Sequence, residues 1–204
     1  MIERTAAEIK KDAIGYLQSN PVFLDTETTG LDANAEICEI AILDTDGSVL
    51  LHSLVRPTRP IPPVVEKIHG ISNMMVRDAP TWLDVRDRVI DVLFDRTVAI
   101  YNRDYDVRLI EQSDKMSGKK IPFSVSGAFC VMELYSEFYG EWNDYRGNYK
   151  WQKLTTAARN TAYVSSGGKA HRADEDCRMT RHVLRYLSTQ HEIVDEDDDS
   201  GIPF

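Results

Sequence analysis

Apolar residues recur at helical spacing near the start of the chain. They are Ala6, Ile9, Ala13, Ile14 and Leu17. Charged residues fill the positions between them, so the pattern predicts an amphipathic helix over residues 3–18. We treat residues 1–20 as this helix and the turn that ends it.

The pattern changes to short apolar runs after Pro21. VFLDTE is predicted to be a strand, and EICEIAIL, DTDG and SVLLHSLV are predicted to form a hairpin with Asp46 and Gly47 at its turn. A proline-rich connection, RPTRPIPP, follows the hairpin.

The second half of the chain alternates between short apolar runs, typical of strands, and apolar residues at helical spacing. We predict a helix near 79–95, a strand at TVAIYN, a helix over 104–116, a strand near 127–131, and helices near 151–161 and 171–188. This order predicts an α/β layer fold. The globular domain is expected to span residues 21–191.

Composition narrows the class of protein. The chain has 204 residues, 42% of them hydrophobic, which suits one domain with an ordinary core. No run reaches the roughly 18 apolar residues of a membrane helix, and the start lacks an apolar signal core. The three cysteines are odd in number and lack CxxC spacing, which argues against a disulfide scaffold or a zinc site. We therefore expect an intracellular, cytoplasmic protein with reduced thiols.

The net charge of −9 is unfavourable for a nucleic-acid partner at first sight. Six of the 33 acidic residues, however, lie in residues 192–204, which contain no base and are predicted to be disordered. Residues 141–185 hold nine bases and five acids. A nucleic-acid enzyme needs only a basic rim where phosphates lie.

The candidate catalytic and metal-binding residues lie in three short segments, FLDTETTG, YNRDYD and HRADEDC. In the first, the period of a strand puts Asp25 and Glu27 on one face. The small residues that follow, Thr28, Thr29 and Gly30, would let backbone amides approach a substrate. The alternative is a strand that runs into a polar turn.

The other two segments are ambiguous when each is taken alone. Asn102 and Asp106 are four residues apart at a strand–helix junction, where both residue types are also common at helix N-termini. His171 and Asp176 lie near the start of the last helix, and a lone surface histidine is the simpler reading of His171. If a fold brings the four acids together, they require cations, and oxygen ligands select Mg²⁺ or Mn²⁺. Two such ions about 4 Å apart would favour phosphodiester cleavage.

Taken together, the three segments resemble the exonuclease motifs of the DnaQ-like superfamily, in its DEDDh branch. RPTRPIPPVVEKIHGISNMMVRDAPT and KLTTAARN are also similar to family segments, and the resemblance covers residues 20–190. It implies an RNase H-like fold with a central mixed five-stranded sheet, and 3′→5′ exonuclease activity that releases nucleoside 5′-monophosphates. It also implies that the metal-binding acids are Asp25, Glu27, Asp106 and Asp176. His171, five residues before Asp176, would be the general base, a role that suits a group titrating near neutral pH.

The resemblance also assigns roles to residues outside the metal centre. His69 would lie near the terminal nucleotides of the substrate, although a helix-end histidine capped by Gly70 explains it equally well. Asn102 belongs to the second motif, and Arg103, which departs from the usual small residue there, could contact a phosphate. The run WNDYRGNYKWQK interleaves aromatic and basic residues, which suits stacking on bases, although some of these rings could instead belong to the core.

We expect a Mg²⁺- or Mn²⁺-dependent exonuclease with two ions that acts on DNA. The alternatives are an exoribonuclease that trims RNA 3′ ends and an inactive nucleic-acid-binding or adaptor module. The sequence does not distinguish single-stranded from duplex substrates.

The chain ends in DEDDDSGIPF. An acidic run that closes in Ile202, Pro203 and Phe204 resembles the C-terminal tip of bacterial single-stranded DNA-binding proteins, although Ser200 and Gly201 interrupt the match. The resemblance implies docking on proteins that recognise such tips. The alternatives are a solubilising end and a tail that folds back over the chain's own substrate groove.

Overall fold

A mixed five-stranded sheet forms the centre of the computed structural model, which describes residues 4–119, 125, 127–165 and 167–189. The strands are β1 (Val22–Thr28), β2 (Ile37–Leu43), β3 (Val49–Leu54), β4 (Val98–Ile100) and β5 (Ala128–Cys130). Their spatial order is β3-β2-β1-β4-β5, with β1 antiparallel to β2 and parallel to β4. The expected RNase H-like sheet is thereby confirmed.

The β2–β3 hairpin turns where the sequence predicts. Gly47 has φ 93°, a left-handed conformation that glycine adopts without a steric penalty, and its amide donates to the carbonyl of Asp44. The carboxylate of Asp46 accepts from the amide of Ser48 at 2.8 Å. The turn therefore lies at the opposite end of β2 from Ile37, which pairs with Thr28.

Eight helices surround the sheet in the described part of the chain. They are α1 (Ala6–Gln18), α2 (Pro63–His69), α3 (Asn73–Val76), α4 (Trp82–Leu93), α5 (Arg103–Met116), α6 (Val131–Tyr139), α7 (Leu154–Asn160) and α8 (Ala173–Thr189). None of these described helices is long and apolar enough to cross a membrane.

The alternation of β1 divides the core between two layers. Phe23 packs with Ile9 of α1 and Leu184 of α8 on one face, and Leu24 packs with Leu109 of α5 on the other. Helix α1 therefore belongs to the same core as the sheet. The layers place α5 and α8 on opposite sides of β1, so the start of each helix can reach that strand.

Several helix boundaries differ from the predicted ones. Helix α1 begins at Ala6 because Thr5 caps it, and a capping box with Glu8 fixes that start. Helix α6 and the ribbon of β6 (Trp142–Asn143) and β7 (Asn148–Tyr149) were not predicted. Helix α6 follows β5 directly, with Cys130 as its N-cap, so no breaker residue marks its beginning. The predicted tail, with Ile202, Pro203 and Phe204, lies outside the described residues.

Candidate active site

Three elements bring the predicted acids to one place. Strand β1 carries Asp25 and Glu27, while Asp106 lies in the first turn of α5 and Asp176 in the first turn of α8. The charges of Asp106, Asp176 and Glu27 all act on Asp25, so the four carboxyls are neighbours. Residues far apart in sequence thus form one acidic centre at the end of β1.

Asp106 is fixed by the residue between the two acids of β1. Its Oδ1 accepts hydrogen bonds from the Thr26 amide at 3.0 Å and from the Thr26 hydroxyl at 2.7 Å. Only 4% of Asp106 is exposed. A buried carboxylate held by two donors has little freedom to move, so α5 and β1 keep a fixed spacing here.

Asp176 orients the segment that carries His171. The amide of His171 donates to Asp176 Oδ1 at 3.1 Å, and His171 adopts φ 62°. This left-handed conformation costs an ordinary residue about 1–2 kcal/mol, so the surroundings must impose it. His171 is exposed, and one ligand atom each of Glu27, His171 and Asp176 lies within 4.8 Å of the others.

Burial and mutual repulsion make the metal-free acids hard to ionise. Burial, then the charges of Asp106 and Asp176, raise the pKa of Asp25 well above its usual range. Burial and the nearby Asp176 raise the pKa of Glu27 to about 8. Burial likewise raises the pKa of Asp106 and of Asp176 to about 7 each. An all-carboxylate set with one imidazole at its edge fits hard divalent cations, which would replace the protons.

Sequence reasoning missed a fifth acid beside this centre. Glu39 lies opposite Glu27 on β2 and is fully buried. Burial alone would raise the pKa of Glu39, but hydrogen bonds from His52, Arg172 and the Ala173 amide lower it to about 2. The available signal was an acid inside the apolar run of β2, because a buried charge requires a partner.

Some polar groups of the small residues after Glu27 already form hydrogen bonds within the protein. The Thr28 hydroxyl lies 2.7 Å from the Tyr105 hydroxyl and donates to the Gly30 carbonyl at 2.8 Å. The Thr29 amide donates to the carbonyl of Glu36 at 2.9 Å. A Cβ added to Gly30 would meet nothing within 4 Å, so the backbone is open on that side.

His69 ends α2 and is 98% buried, since only 2% of it is exposed. Its Nδ1 accepts from the Ile71 amide at 2.9 Å, and burial lowers the pKa of His69. Gly70 caps the helix at φ 78°, with its amide donating to the Glu66 carbonyl. The structure therefore contains the helix-end arrangement that was the alternative to substrate contact.

Asn102 and Arg103 lie at the surface beside Asp106. Asn102 is exposed at the N-cap position of α5, where its carbonyl accepts from the Tyr105 amide at 3.0 Å. Arg103 pairs with Asp104, at 2.8 Å between its guanidinium and the carboxylate. Asn102 and Arg103 therefore lie at the start of α5, the helix whose first turn carries Asp106.

The aromatic run forms a surface hairpin rather than core. Trp142 and Tyr149 pack edge-to-face across β6 and β7, with ring centroids 5.2 Å apart. Tyr145 is 96% exposed and Trp151 is 56% exposed. The Tyr101 hydroxyl donates to the Gln152 carbonyl at 2.9 Å, which ties the end of this hairpin to the residue before Asn102.

The geometry can be compared with known proteins. A family model of exonucleases, RNase_T, matches residues 22–184. The chain belongs to this exonuclease family. It is 44% identical over 188 residues to the uncharacterized exonuclease CP81 of Escherichia phage 186, covering 90% of this chain and 96% of that protein. The predicted DnaQ-like assignment is confirmed, and the protein is a phosphodiester hydrolase.

More distant relatives share part of the chain or the fold. The DNA polymerase III subunit epsilon of Rickettsia typhi is 33% identical over 95 residues, which are 44% of this exonuclease and 42% of that subunit. Exonuclease X in complex with 5′-overhanging duplex DNA is 26% identical, with TM-score 0.61 over 83% of this chain and 92% of that chain. Exonuclease I, at 16% identity and TM-score 0.69 over 85% of this chain and 41% of that chain, shares the fold.

Proposed function

We propose that this exonuclease removes nucleotides from the 3′ end of DNA and releases nucleoside 5′-monophosphates. The observation that carries the proposal is the convergence of Glu27, His171 and Asp176 within 4.8 Å, beside Asp25 and Asp106. In this proposal Asp25, Glu27, Asp106 and Asp176 hold two Mg²⁺ or Mn²⁺ ions. The ions, when bound, supply charge for the attacking and leaving oxygens of the phosphodiester.

We propose His171 as the general base. Its imidazole is exposed at the edge of the acidic centre, so it can reach a water molecule, while its backbone is held by Asp176. In our proposal the imidazole accepts the proton of the attacking water and passes it to solvent. Asp106, fixed by Thr26, keeps the distance between α5 and β1 constant during this step.

Substrate contacts are proposed at the rim of the centre. The open backbone near Gly30, together with Thr28 and Thr29, would face the terminal nucleotide, and Arg103 would contact a phosphate by exchanging its bond to Asp104. Asn102 and the aromatic hairpin are proposed to contact the DNA strand as well, since the Tyr101 hydroxyl donates to the Gln152 carbonyl and so joins the two segments. His69 is buried and interacts with the Thr28 backbone, so in this proposal it acts on the substrate only through that residue.

DNA is favoured over RNA by the relatives. Over 95 residues the chain is 33% identical to a DNA polymerase subunit, and it is 26% identical to an exonuclease whose solved complex contains DNA. A 3′-exonuclease bound to rAMP is only 18% identical, so this similarity supports the fold alone. We further propose that the enzyme works in the cytoplasm, as the buried, free thiols of Cys38, Cys130 and Cys177 suit.

The test uses matched single-stranded DNA, duplex DNA and RNA, each labelled at the 5′ end, with Mg²⁺ or Mn²⁺. A ladder that shortens from the 3′ end, with mononucleotide release, is expected first on DNA. Immediate release of the 5′-labelled nucleotide would refute the polarity, and faster digestion of RNA would favour the exoribonuclease alternative. Full activity in excess chelator would refute the metal-dependent mechanism.

We also propose that the tail docks on proteins that recognise the tips of single-stranded DNA-binding proteins. The support is the sequence alone, an acidic run that ends in Ile202, Pro203 and Phe204. Such a partner would offer an apolar pocket for the phenyl ring and a basic rim for the acids.

A further inference from the structure

We propose that Glu39 is a positioning residue, which holds His171 and Asp176 in place through Arg172 and the first amide of α8. The proposal rests on the proposed function only for the catalytic roles of those two residues. Glu39 itself has no place in the predicted metal centre, although it lies directly opposite Glu27 in the sheet.

The contacts of Glu39 converge on one junction. Its Oε2 accepts from Arg172 Nε at 3.0 Å and from the Ala173 amide at 3.0 Å, while its Oε1 accepts from the Arg172 guanidinium at 2.5 Å. His52 of β3 holds Oε1 from the other side at 2.8 Å. The carboxylate therefore joins the middle of the sheet to the residues that connect His171 to α8.

The junction between His171 and α8 contains a strained backbone conformation. His171 is held at φ 62°, and α8 begins two residues later at Ala173. A strained conformation persists only where the surrounding contacts fix it. The bond from the His171 amide to Asp176 closes the turn, but both ends of that bond belong to the same segment. Glu39 supplies the contact with a separate, rigid element.

A neutral amide could not make the same contacts. All the groups around Glu39 on the α8 side are donors, namely the Arg172 guanidinium and the Ala173 amide. A carboxylate offers acceptor sites on both oxygens, whereas the NH₂ group of glutamine would face another donor. Glu39→Gln therefore keeps the volume of the side chain while it breaks the connection.

The experiment compares Glu39→Gln with a matched control. Asp114 of α5 is also fully buried, and it accepts from Arg86 Nε at 2.7 Å and from Trp82 Nε1 at 2.7 Å. Asp114→Asn thus removes a similar buried charge, but one whose donors Arg86 and Trp82 both belong to α4. Amide hydrogen exchange is measured on the metal-free proteins, and turnover and KM for single-stranded DNA are measured with Mn²⁺.

In Glu39→Gln we expect the His171 and Ala173 amides to exchange at least about tenfold faster, while the β1 and β2 amides stay protected. Turnover should fall about 10–100-fold, as for other residues that orient metal-site groups, with KM little changed. Asp114→Asn should lower the melting temperature and leave turnover of the folded protein unchanged. If Glu39→Gln fails to fold, Arg172→Gln carries the same expectation, since the Arg172 side chain is 27% exposed.

Parental exchange at His171 and Ala173, or parental turnover despite faster exchange, would overturn the proposal. So would a uniform loss of protection with the same turnover as in Asp114→Asn, because that pattern describes a purely structural residue. If His171→Ala keeps its turnover, the proposed role of His171 as general base fails, yet the amide exchange still decides whether Glu39 holds the junction.

Discussion

Glu27 and Glu39 lie directly opposite each other on β1 and β2, yet the pKa values of their carboxyls shift in opposite directions. Burial and the neighbouring acids raise the pKa of Glu27 to about 8. Burial opposes ionisation of Glu39 as well, but its donors lower the pKa to about 2. The two carboxylates therefore have different roles. Glu27 remains available to bind a cation, whereas the oxygens of Glu39 are occupied by protein donors.

The first prediction concerns stability of the metal-free protein against pH. Above the usual carboxyl pKa of 4.5 the unfolded chain releases the proton of Glu27, whereas the folded chain retains it up to about 8. The folded state thus binds more protons in this window, and the melting temperature in chelator should fall from pH 5 to pH 8. Glu39 acts in the opposite direction only between about 2 and 4.5.

Thermal melts of the parent and of Glu27→Gln check this prediction. The variant removes one titrating group, so its melting temperature should fall less over the same interval. A rising melting temperature between pH 5 and pH 8, or equal slopes in the two proteins, would contradict it.

The second prediction concerns metal binding by Asp25. Asp25→Asn should abolish exonuclease activity while the metal-free fold is as stable as the parent or more so, because a buried repulsion is removed. Mn²⁺ at 100 times its Kd should stabilise the parent by about 2.7 kcal/mol and the variant by less. Asp87→Asn, an acid that is 85% exposed, is the control and should behave as the parent. An equal Mn²⁺ shift in Asp25→Asn would remove this residue from the ligand set.

The third prediction concerns His171. If its imidazole is the general base, His171→Ala should lower turnover by about 10²–10⁴-fold. Binding of a non-cleavable single strand should change little, and the acidic limb of the pH–rate profile should change. His182→Ala is the control, since His182 lies further along α8 and forms a hydrogen bond with the Thr161 carbonyl. Parental turnover in His171→Ala would show that another group accepts the proton.

Local patterns predicted what lies within one element. The period of β1 put Asp25 and Glu27 on one face, and Asp46 and Gly47 marked the hairpin turn. The meeting of the three motifs, by contrast, came from family resemblance, because no local pattern joins β1 to α5 and α8. The bond between Thr26 and Asp106 spans 80 residues, and that between Glu39 and Ala173 spans 134.

Helix α6 shows a second limit of local patterns. Its first residue, Val131, falls within the strand that the sequence predicts near 127–131, since β-branched residues favour strands and neither glycine nor proline separates the two elements. The local signals are Glu133 in its first turn and the left-handed Gly140 at its end. Glu39 was missed for a different reason, because the partner that makes its burial tolerable, Arg172, is distant in sequence.

The fourth prediction concerns the aromatic hairpin. If bases stack on Tyr145 and Trp151, each alanine variant should weaken binding of single-stranded DNA by about 1–3 kcal/mol and raise KM, with kcat nearly unchanged. Phe94→Ala is the control, because Phe94 is 78% exposed at the end of α4. KM values that stay parental in Tyr145→Ala and Trp151→Ala would exclude the hairpin from the path of the strand.

The last prediction concerns the tail. Six acids in residues 192–204 should repel a nucleic-acid substrate, so a docking role for them requires a partner other than the substrate. A terminal phenylalanine can fill an apolar pocket while a basic residue holds its carboxylate, and the acids add attraction that salt weakens. A labelled peptide of the last ten residues should therefore bind a repair protein that recognises the tips of single-stranded DNA-binding proteins. Deletion of Phe204 should remove most of this affinity. Equal affinity without Phe204, or no binding at low salt, would refute the docking proposal, and faster digestion by a chain that ends at His191 would instead favour a tail that covers its own groove.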